Sequence, residues 1–376
     1  MQALYRKYRP RKLEDVLGQE TNIEIIKNAA KIGKIGQAYI FYGPRGTGKT
    51  TTARLLAKLL NCEKRRDDAA FAKLGEPCNE CRECRAIDAQ NSFDVTEIDA
   101  ASNRGIDEIR NLKENIRTAP ASAAHRVYII DEAHMLTGAA FNALLKTLEE
   151  PPAHAVIILA TTEYEKLPPT ITSRAQRFVF RKLPKTTIIK KLSSMAQAEG
   201  IAIDDAALEL IAAAGEGSLR DAESLLGQIA SLASAAGDGK KTSTIDLAAV
   251  ERATGRAGLR TVYELAARMV KGDLKGSLAQ IAALQDDGHD MVQVTKELIH
   301  YFRKVLSLAL NPSLESVFQK ELTKDEIADA KKLAASSNPA FIITLLKALI
   351  RAYAEMRYSP FAAVPLEVAL AENLGS

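Results

Sequence analysis

Short apolar runs punctuate the first half of this chain, and segments with helical spacing follow them. Ala38 to Tyr42, Val127 to Ile130 and Ala155 to Ala160 are almost unbroken in apolar residues, whereas Asp94 to Ile98 and Arg177 to Phe180 are mixed. Thr51 to Leu60 sets Leu55, Leu56, Leu59 and Leu60 on one helical stripe, and Ile106 to Arg117 and Ala139 to Glu149 also read as helices. Strands of this kind alternating with helices predict an α/β domain whose parallel sheet is covered on both faces. The pattern breaks at Leu183-Pro184. Beyond it strands vanish. Residues 185–243 read as a small helical bundle whose tail, Ala235 to Lys241, has linker composition. Residues 244–376 are again helical, with amphipathic runs at Val262 to Val270, Val292 to Leu310 and Phe341 to Arg357.

Composition changes this picture little. A chain of 376 residues is long for one core, and 47% hydrophobic with 26% charged residues is an ordinary globular balance. No run approaches the roughly 18 apolar residues of a membrane span. The basic start, Arg6 to Lys12, is not followed by an apolar signal core, so a cytoplasmic protein without membrane contact is expected. A net charge of +4 permits nucleic-acid contact without arguing for it.

The chemistry begins where the first apolar run ends. Gly43-Pro44-Arg45-Gly46-Thr47-Gly48-Lys49-Thr50 fills every position of the G-x-x-x-x-G-K-[ST] phosphate loop, and Thr51 continues into the helix. Glycines let several backbone amides and the positive helix end face one triphosphate. Lys49 is expected to bridge the β- and γ-phosphates, and Thr50 to ligate magnesium. The run Val127 to Ile130 ends in Asp131-Glu132-Ala133-His134. Asp131 stands where the magnesium carboxylate belongs, and Glu132 where a group that orients and polarises the attacking water belongs. An acidic pair can also just cap a helix, but downstream of a phosphate loop catalysis is the better reading. His134 is expected to pack or hydrogen-bond the turn.

All four cysteines fall between Cys62 and Cys84. Cys78-x-x-Cys81-x-x-Cys84 has ligand spacing, and Cys62 can close a tetrahedron from the end of the phosphate-loop helix. Cysteines this close in sequence cannot pair with one another without strain. A structural four-sulfur zinc site is the best reading, with free or redox-active thiols as the alternative.

Phosphate loop, Asp-Glu strand end and helical lid together resemble the AAA+ ATPases. Tyr5-Arg6-Lys7-Tyr8-Arg9-Pro10 and Leu13 to Glu20 are similar to the N-terminal box of clamp-loader ATPases, which implies that Tyr8, Arg9, Pro10 and Val16 lie near the adenine. Ala160-Thr161-Thr162-Glu163 resembles the sensor-1 position, with Thr162 near the γ-phosphate. Thr172-Ser173-Arg174 resembles the Ser-Arg motif whose arginine reaches ATP on the adjacent subunit, and Arg174 is expected across the sheet from the phosphate loop. Gly217 to Ala222 resembles the lid's sensor-2 helix, with Arg220 on the phosphates. The cysteine insert and Phe141 to Pro152 narrow the likeness to the γ/τ clamp-loader subunits of bacterial DNA polymerase III.

That resemblance implies an AAA+ domain over 1–184 carrying a zinc insert over 62–84, a lid over 185–243 and a collar over 244–376. It implies an ATP-hydrolysing subunit that assembles with δ, δ′ and further copies of itself, opens a sliding clamp and holds primed DNA. Ala175 departs from the family, which usually has cysteine there, and the further C-terminal domains of a τ form are absent from this sequence. Arg104, Arg110 and Lys113 read equally as facing DNA or as a solvated helix face. Three rival functions are a peptide-threading remodeller, a non-hydrolysing scaffold and a Holliday-junction motor. The first lacks an aromatic-hydrophobic-Gly pore loop, Lys49, Asp131 and Glu132 weigh against the second, and the insert weighs against the third.

Overall fold

The computed structural model describes residues 3–103, 109, 112, 114–236, 244–319 and 322–375. Two compact units divide the chain, one over Leu4–Leu183 and the other from Pro184 onward. The first is built on strands β1 (Ala38–Tyr42), β2 (Val95–Asp99), β3 (Arg126–Asp131), β4 (Ala155–Thr161) and β5 (Gln176–Val179). All neighbours are parallel, in the order β2-β3-β4-β1-β5.

Burial explains which strands were plain in sequence. Every residue of β4 is buried, and β1 and β3 are buried along nearly their whole length, because both faces of a central parallel strand are covered. The edge strands β2 and β5 are mostly exposed or half-buried, which is why their sequences are mixed. One face carries Phe41, Ile129 and Ile158 against helices α1 (Glu20–Lys31) and α2 (Lys49–Asn61). The other carries Ile40, Ile130 and Leu159 against α4 (Gly138–Glu149), following the short α3 (Arg82–Asp88) in the chain. Phe41 contacts Phe178 and Phe180 edge-on or tilted, with ring centroids 5.5 and 5.4 Å away. Truncating a buried Phe of this kind typically costs about 3–5 kcal/mol.

Two expected strand ends shift. Asp94 precedes β2 instead of opening it; its buried carboxylate accepts from the backbone N–H groups of Ala121, Ser122 and Ala123 at 2.7–2.9 Å. Burial alone would raise its pKa, yet those three donors and Arg126 hold it below the ordinary value. Phe180 lies just past β5, though its N–H still reaches Tyr42 O at 2.7 Å. Half of the helix expected over Ile106 to Arg117 falls outside the described residues. So do Arg104, Arg110 and Lys113, and most of the linker tail.

The second unit, among the described residues, is helical apart from one parallel bridge between Ile203 and Ile245. Helices α5 (Lys185–Glu199), α6 (Asp205–Ala214) and α7 (Leu219–Ala236) come first. A longer helical segment follows, centred on α8 (Met291–Leu310), whose Leu298, Phe302 and Val305 are fully buried in the largest apolar cluster. No single described helix is long and apolar enough to cross a membrane.

Candidate nucleotide site and cysteine centre

The phosphate loop leaves the C-terminal end of β1 and turns directly into α2. Gly43 has a φ of +139° and packs so closely on β5's exit that a Cβ there would stand 2.1 Å from Phe180 O. Gly48 forms the N-cap of α2 in the left-handed region, at φ 101°. Only glycine meets both demands without strain. Thr47 is buried and its hydroxyl donates to Pro44 O at 2.8 Å, pinning the loop from inside, while Pro44 and Arg45 are exposed.

Lys49, the first residue of α2, is 6% exposed, and its ammonium donates to Gly43 O and Pro44 O, each at 2.8 Å. Burial lowers its pKa, opposed by the nearby carboxylates of Glu132 and Asp131. The Thr50 hydroxyl donates to Asp131 Oδ2 at 2.7 Å, so the two expected magnesium groups sit side by side, and half-buried Thr51 follows them on α2. Glu132 leaves β3 in the left-handed region, at φ 47°. That turn brings its carboxylate to Thr162, whose hydroxyl donates at 2.8 Å and whose N–H donates at 3.3 Å. His134 lies between Glu132, Thr161 and Glu163, with ring nitrogens 3.4, 3.0 and 3.1 Å from their oxygens.

Lys49, Thr50, Asp131, Glu132 and Thr162 thus converge at the carboxyl ends of three adjacent strands, where ligands of open α/β sheets bind. There Lys49 can neutralise phosphate charge, Asp131 can help hold a metal ion and Glu132 can orient a water.

Other expected residues lie outside this hydrogen-bonded set. Val16 is buried, its Cγ1 3.5 Å from where a Gly48 Cβ would stand, so it walls the loop. Tyr8, Arg9 and Pro10 are half-buried in the segment leading towards it. Arg220 is exposed on the first turn of α7, in the other unit. Arg174 requires a correction. It precedes β5, and β5 pairs directly with β1, so the two are not separated across the sheet. The separation runs along the strands instead. Gln176, two residues on, pairs with Tyr39, four residues before Gly43, a rise of about 13 Å. Its guanidinium rests on Glu149 Oε1 at 2.7 and 2.9 Å and on Thr170 O at 2.7 Å.

Gln19 carries no site motif in the sequence. Only 3% exposed, it donates to Arg181 O at 2.8 Å and Thr47 O at 3.4 Å and accepts from Arg181 N at 3.2 Å. It ties the phosphate loop to the exit of β5, and its only local signal was a polar residue inside the N-terminal box.

The four cysteine sulfurs all lie within 4.8 Å of one another. A tetrahedral site with Zn–S of about 2.3 Å has sulfur–sulfur edges of about 3.8 Å; Cys78 and Cys84 are 3.9 Å apart. N–H groups of Cys78, Glu80, Cys81 and Cys84 point at sulfurs at 3.3–3.4 Å, as suits thiolate ligands. A hydrogen bond from Cys84 pulls the Cys62 pKa down to about 5 against its burial, and the same bond pushes Cys84 up. The donor set fits a closed four-sulfur metal site.

Sequence profiles of known families match nearly the whole chain. Residues 18–184 match the DNA polymerase III delta subunit, residues 187–237 the DNA polymerase III clamp loader subunit ATPase lid domain, and residues 245–372 domain III of DNA polymerase III subunits gamma and tau. DNA polymerase III subunit tau of Bacillus subtilis is 38% identical over 372 residues, 98% of this chain and 62% of that protein. The Escherichia coli subunit tau is 36% identical over 373 residues, 99% of this chain and 55% of that protein. The chain therefore spans about three fifths of the length of these relatives. Among solved structures, the Thermotoga maritima RuvB Holliday junction branch migration motor aligns at 20% identity and a TM-score of 0.46, over 65% of this chain and 71% of that one. That likeness is too distant to bear on function. Identity of 36–38% along nearly all of this chain to the tau proteins, with the gamma and tau domain III and clamp-loader lid profiles, shows that the chain belongs to the gamma/tau family of DNA polymerase III clamp-loader subunits.

Proposed function

We propose that this chain is an ATP-hydrolysing motor subunit of a bacterial clamp loader, using ATP to place a sliding clamp on primed DNA. The observation that carries the reading is the convergence of Lys49, the Thr50–Asp131 pair and the Glu132–Thr162 pair on one phosphate loop. Loop amides from Arg45 to Thr50 cradle the triphosphate, and Lys49 exchanges the Gly43 and Pro44 carbonyls for β- and γ-phosphate oxygens. Thr50 and Asp131 hold magnesium, which supplies charge neutralisation on those oxygens. Glu132 orients a water and takes its proton as the water oxygen bonds to the γ-phosphorus. The bond from that phosphorus to the β–γ bridging oxygen breaks, leaving ADP and phosphate. Thr162 holds Glu132 in line until the γ-phosphate engages it.

Tyr8, Arg9, Pro10 and Val16 line the base, and Arg220 is the phosphate-binding candidate of the helical unit. Arg174 serves a neighbour's nucleotide. Its pair with Glu149 is exposed on both sides and costs about 1 kcal/mol or less to break. Cys62, Cys78, Cys81 and Cys84 hold a structural zinc. Partners are δ, δ′, further copies of this chain, the sliding clamp and primed DNA, in the cytoplasm.

Glu132→Gln keeps shape but cannot take a proton. It should bind ATP with near-parent affinity while turnover falls by about a hundredfold or more. Turnover at the parent rate would remove Glu132 from the mechanism.

A further inference from the structure

The cysteine module is fastened to the nucleotide-binding domain at points that hydrolysis does not use. Lys58 of α2, 1% exposed, donates to Asn79 Oδ1 at 2.8 Å and pairs with Asp88 at 2.5 Å. Arg65 donates to the carbonyls of Leu59, Ala72 and Ala30, each at 3.1 Å. Two residues before Cys78 stands Glu76, 7% exposed. Its carboxylate accepts from Leu13 N at 2.7 Å and Glu14 N at 3.1 Å, and pairs with Lys27 at 2.8 Å. Gly75, at φ +67°, lets the loop lie against α1, where a Cβ would meet Lys27 O at 3.0 Å.

Those two N–H groups open the short 3-10 turn Leu13–Asp15. Lys12, which precedes the turn, has a donor-only side chain and cannot cap them. An acceptor has to come from elsewhere in the chain, and Glu76 supplies it. The turn closes with Val16 N on Leu13 O at 3.1 Å, and Val16 packs beside Gly48. Two residues of chain from Cys78 to Glu76, the Glu76 hydrogen bonds to Leu13 and Glu14, and Val16 packed beside Gly48 therefore link the cysteine module to the phosphate loop.

We propose that Glu76 is a positioning residue for the nucleotide base, and that the metal module serves the site by holding Glu76 in place. This rests on the nucleotide reading above, in which Val16 lines the base. The two ends of the ligand then depend on different supports. The triphosphate is held by Lys49 and the loop amides, none of which touches Glu76. The base is held by a wall that includes Val16, on the turn whose Leu13 and Glu14 N–H groups Glu76 caps.

The test compares ATP with inorganic tripolyphosphate, by calorimetric titration of the full chain with magnesium. Loss of two charge-assisted hydrogen bonds in Glu76→Ala should raise the ATP Kd roughly tenfold or more. Tripolyphosphate affinity should stay within about twofold of the parent. Metal content should stay at the parent's level. Glu76→Gln, which keeps one acceptor oxygen, should fall between, and it carries the same comparison if Glu76→Ala does not fold. Equal weakening of both ligands, or unchanged ATP binding, overturns the assignment. A parent chain that binds neither ligand would instead overturn the nucleotide reading itself.

Discussion

Replacing Gly43 with alanine should damage the nucleotide site by displacing backbone rather than by removing a reacting group. The added Cβ would stand 2.1 Å from Phe180 O and 3.0 Å from its carbonyl carbon. Even a close C–H···O contact sits at about 3.3–3.6 Å, so β1 and the exit of β5 must part by more than about 1 Å. That movement strains the Phe180 N to Tyr42 O bond and, through Arg181 and Gln19, the carbonyl of Thr47. Overpacking costs about 1–3 kcal/mol, and a side chain at positive φ roughly 1–3 kcal/mol more. If only about 2 kcal/mol of this falls on the loop, the ATP Kd rises about 30-fold. Calorimetric titration with ATP and urea unfolding read the two parts separately. Gly138→Ala is the control, since nothing lies within 4 Å of a Cβ there. Gly43→Ala protein with the parent's ATP affinity and unfolding midpoint would refute the close-approach reasoning.

Elemental analysis should find near one zinc per chain, lost in Cys78→Ser and released by a chelator in mild acid, because thiolate ligands compete with protons; four freely titratable thiols and no metal would contradict this. Glu216 in the second unit accepts from Lys296 and Arg256 at 2.8 and 2.9 Å, and these donors, Lys296 first, lower its pKa to about 2 despite desolvation. A depressed carboxylate stabilises the fold above its unfolded pKa. Glu216→Gln should therefore lower Tm at neutral pH, and the difference should vanish between pH of about 4.5 and about 2. The carboxylate is nearly half exposed, so the effect is about 1 kcal/mol or less; a difference independent of pH would rule the ion pairs out as its cause.

What the sequence made plain was what local pattern encodes. β1, β3 and β4 are apolar along nearly their whole length because helices cover both their faces, and the phosphate loop and cysteine spacing sit in single short stretches. Strand ends were harder. Asp94 continues the apparent pattern of β2, yet its carboxylate belongs to a backbone turn near residue 122. Long-range polar links were silent for the same reason. Glu76 meets a turn 63 residues away and Gln19 a carbonyl 162 residues away, and neither contact leaves a period in the chain. Arg174 precedes the last strand, yet it stands along the sheet from the loop rather than across it, because strand order is a property of topology that chain order does not reveal.

The most direct test of the account mixes two inactive chains. Lys49→Ala loses the phosphate site and Arg174→Ala loses the group offered to a neighbour, and each alone should hydrolyse ATP poorly. An arginine reaching a neighbour's nucleotide contributes on the order of a thousandfold or more in related phosphoryl transfer. ATPase activity is measured after the two are assembled together with partner subunits, sliding clamp and primed DNA, with co-assembly verified. Interfaces that pair an intact phosphate site with an intact Arg174 should then restore part of the parent activity. Verified co-assembly with no recovery would contradict a nucleotide site shared between subunits, and with it the reading of this chain as a clamp-loader motor.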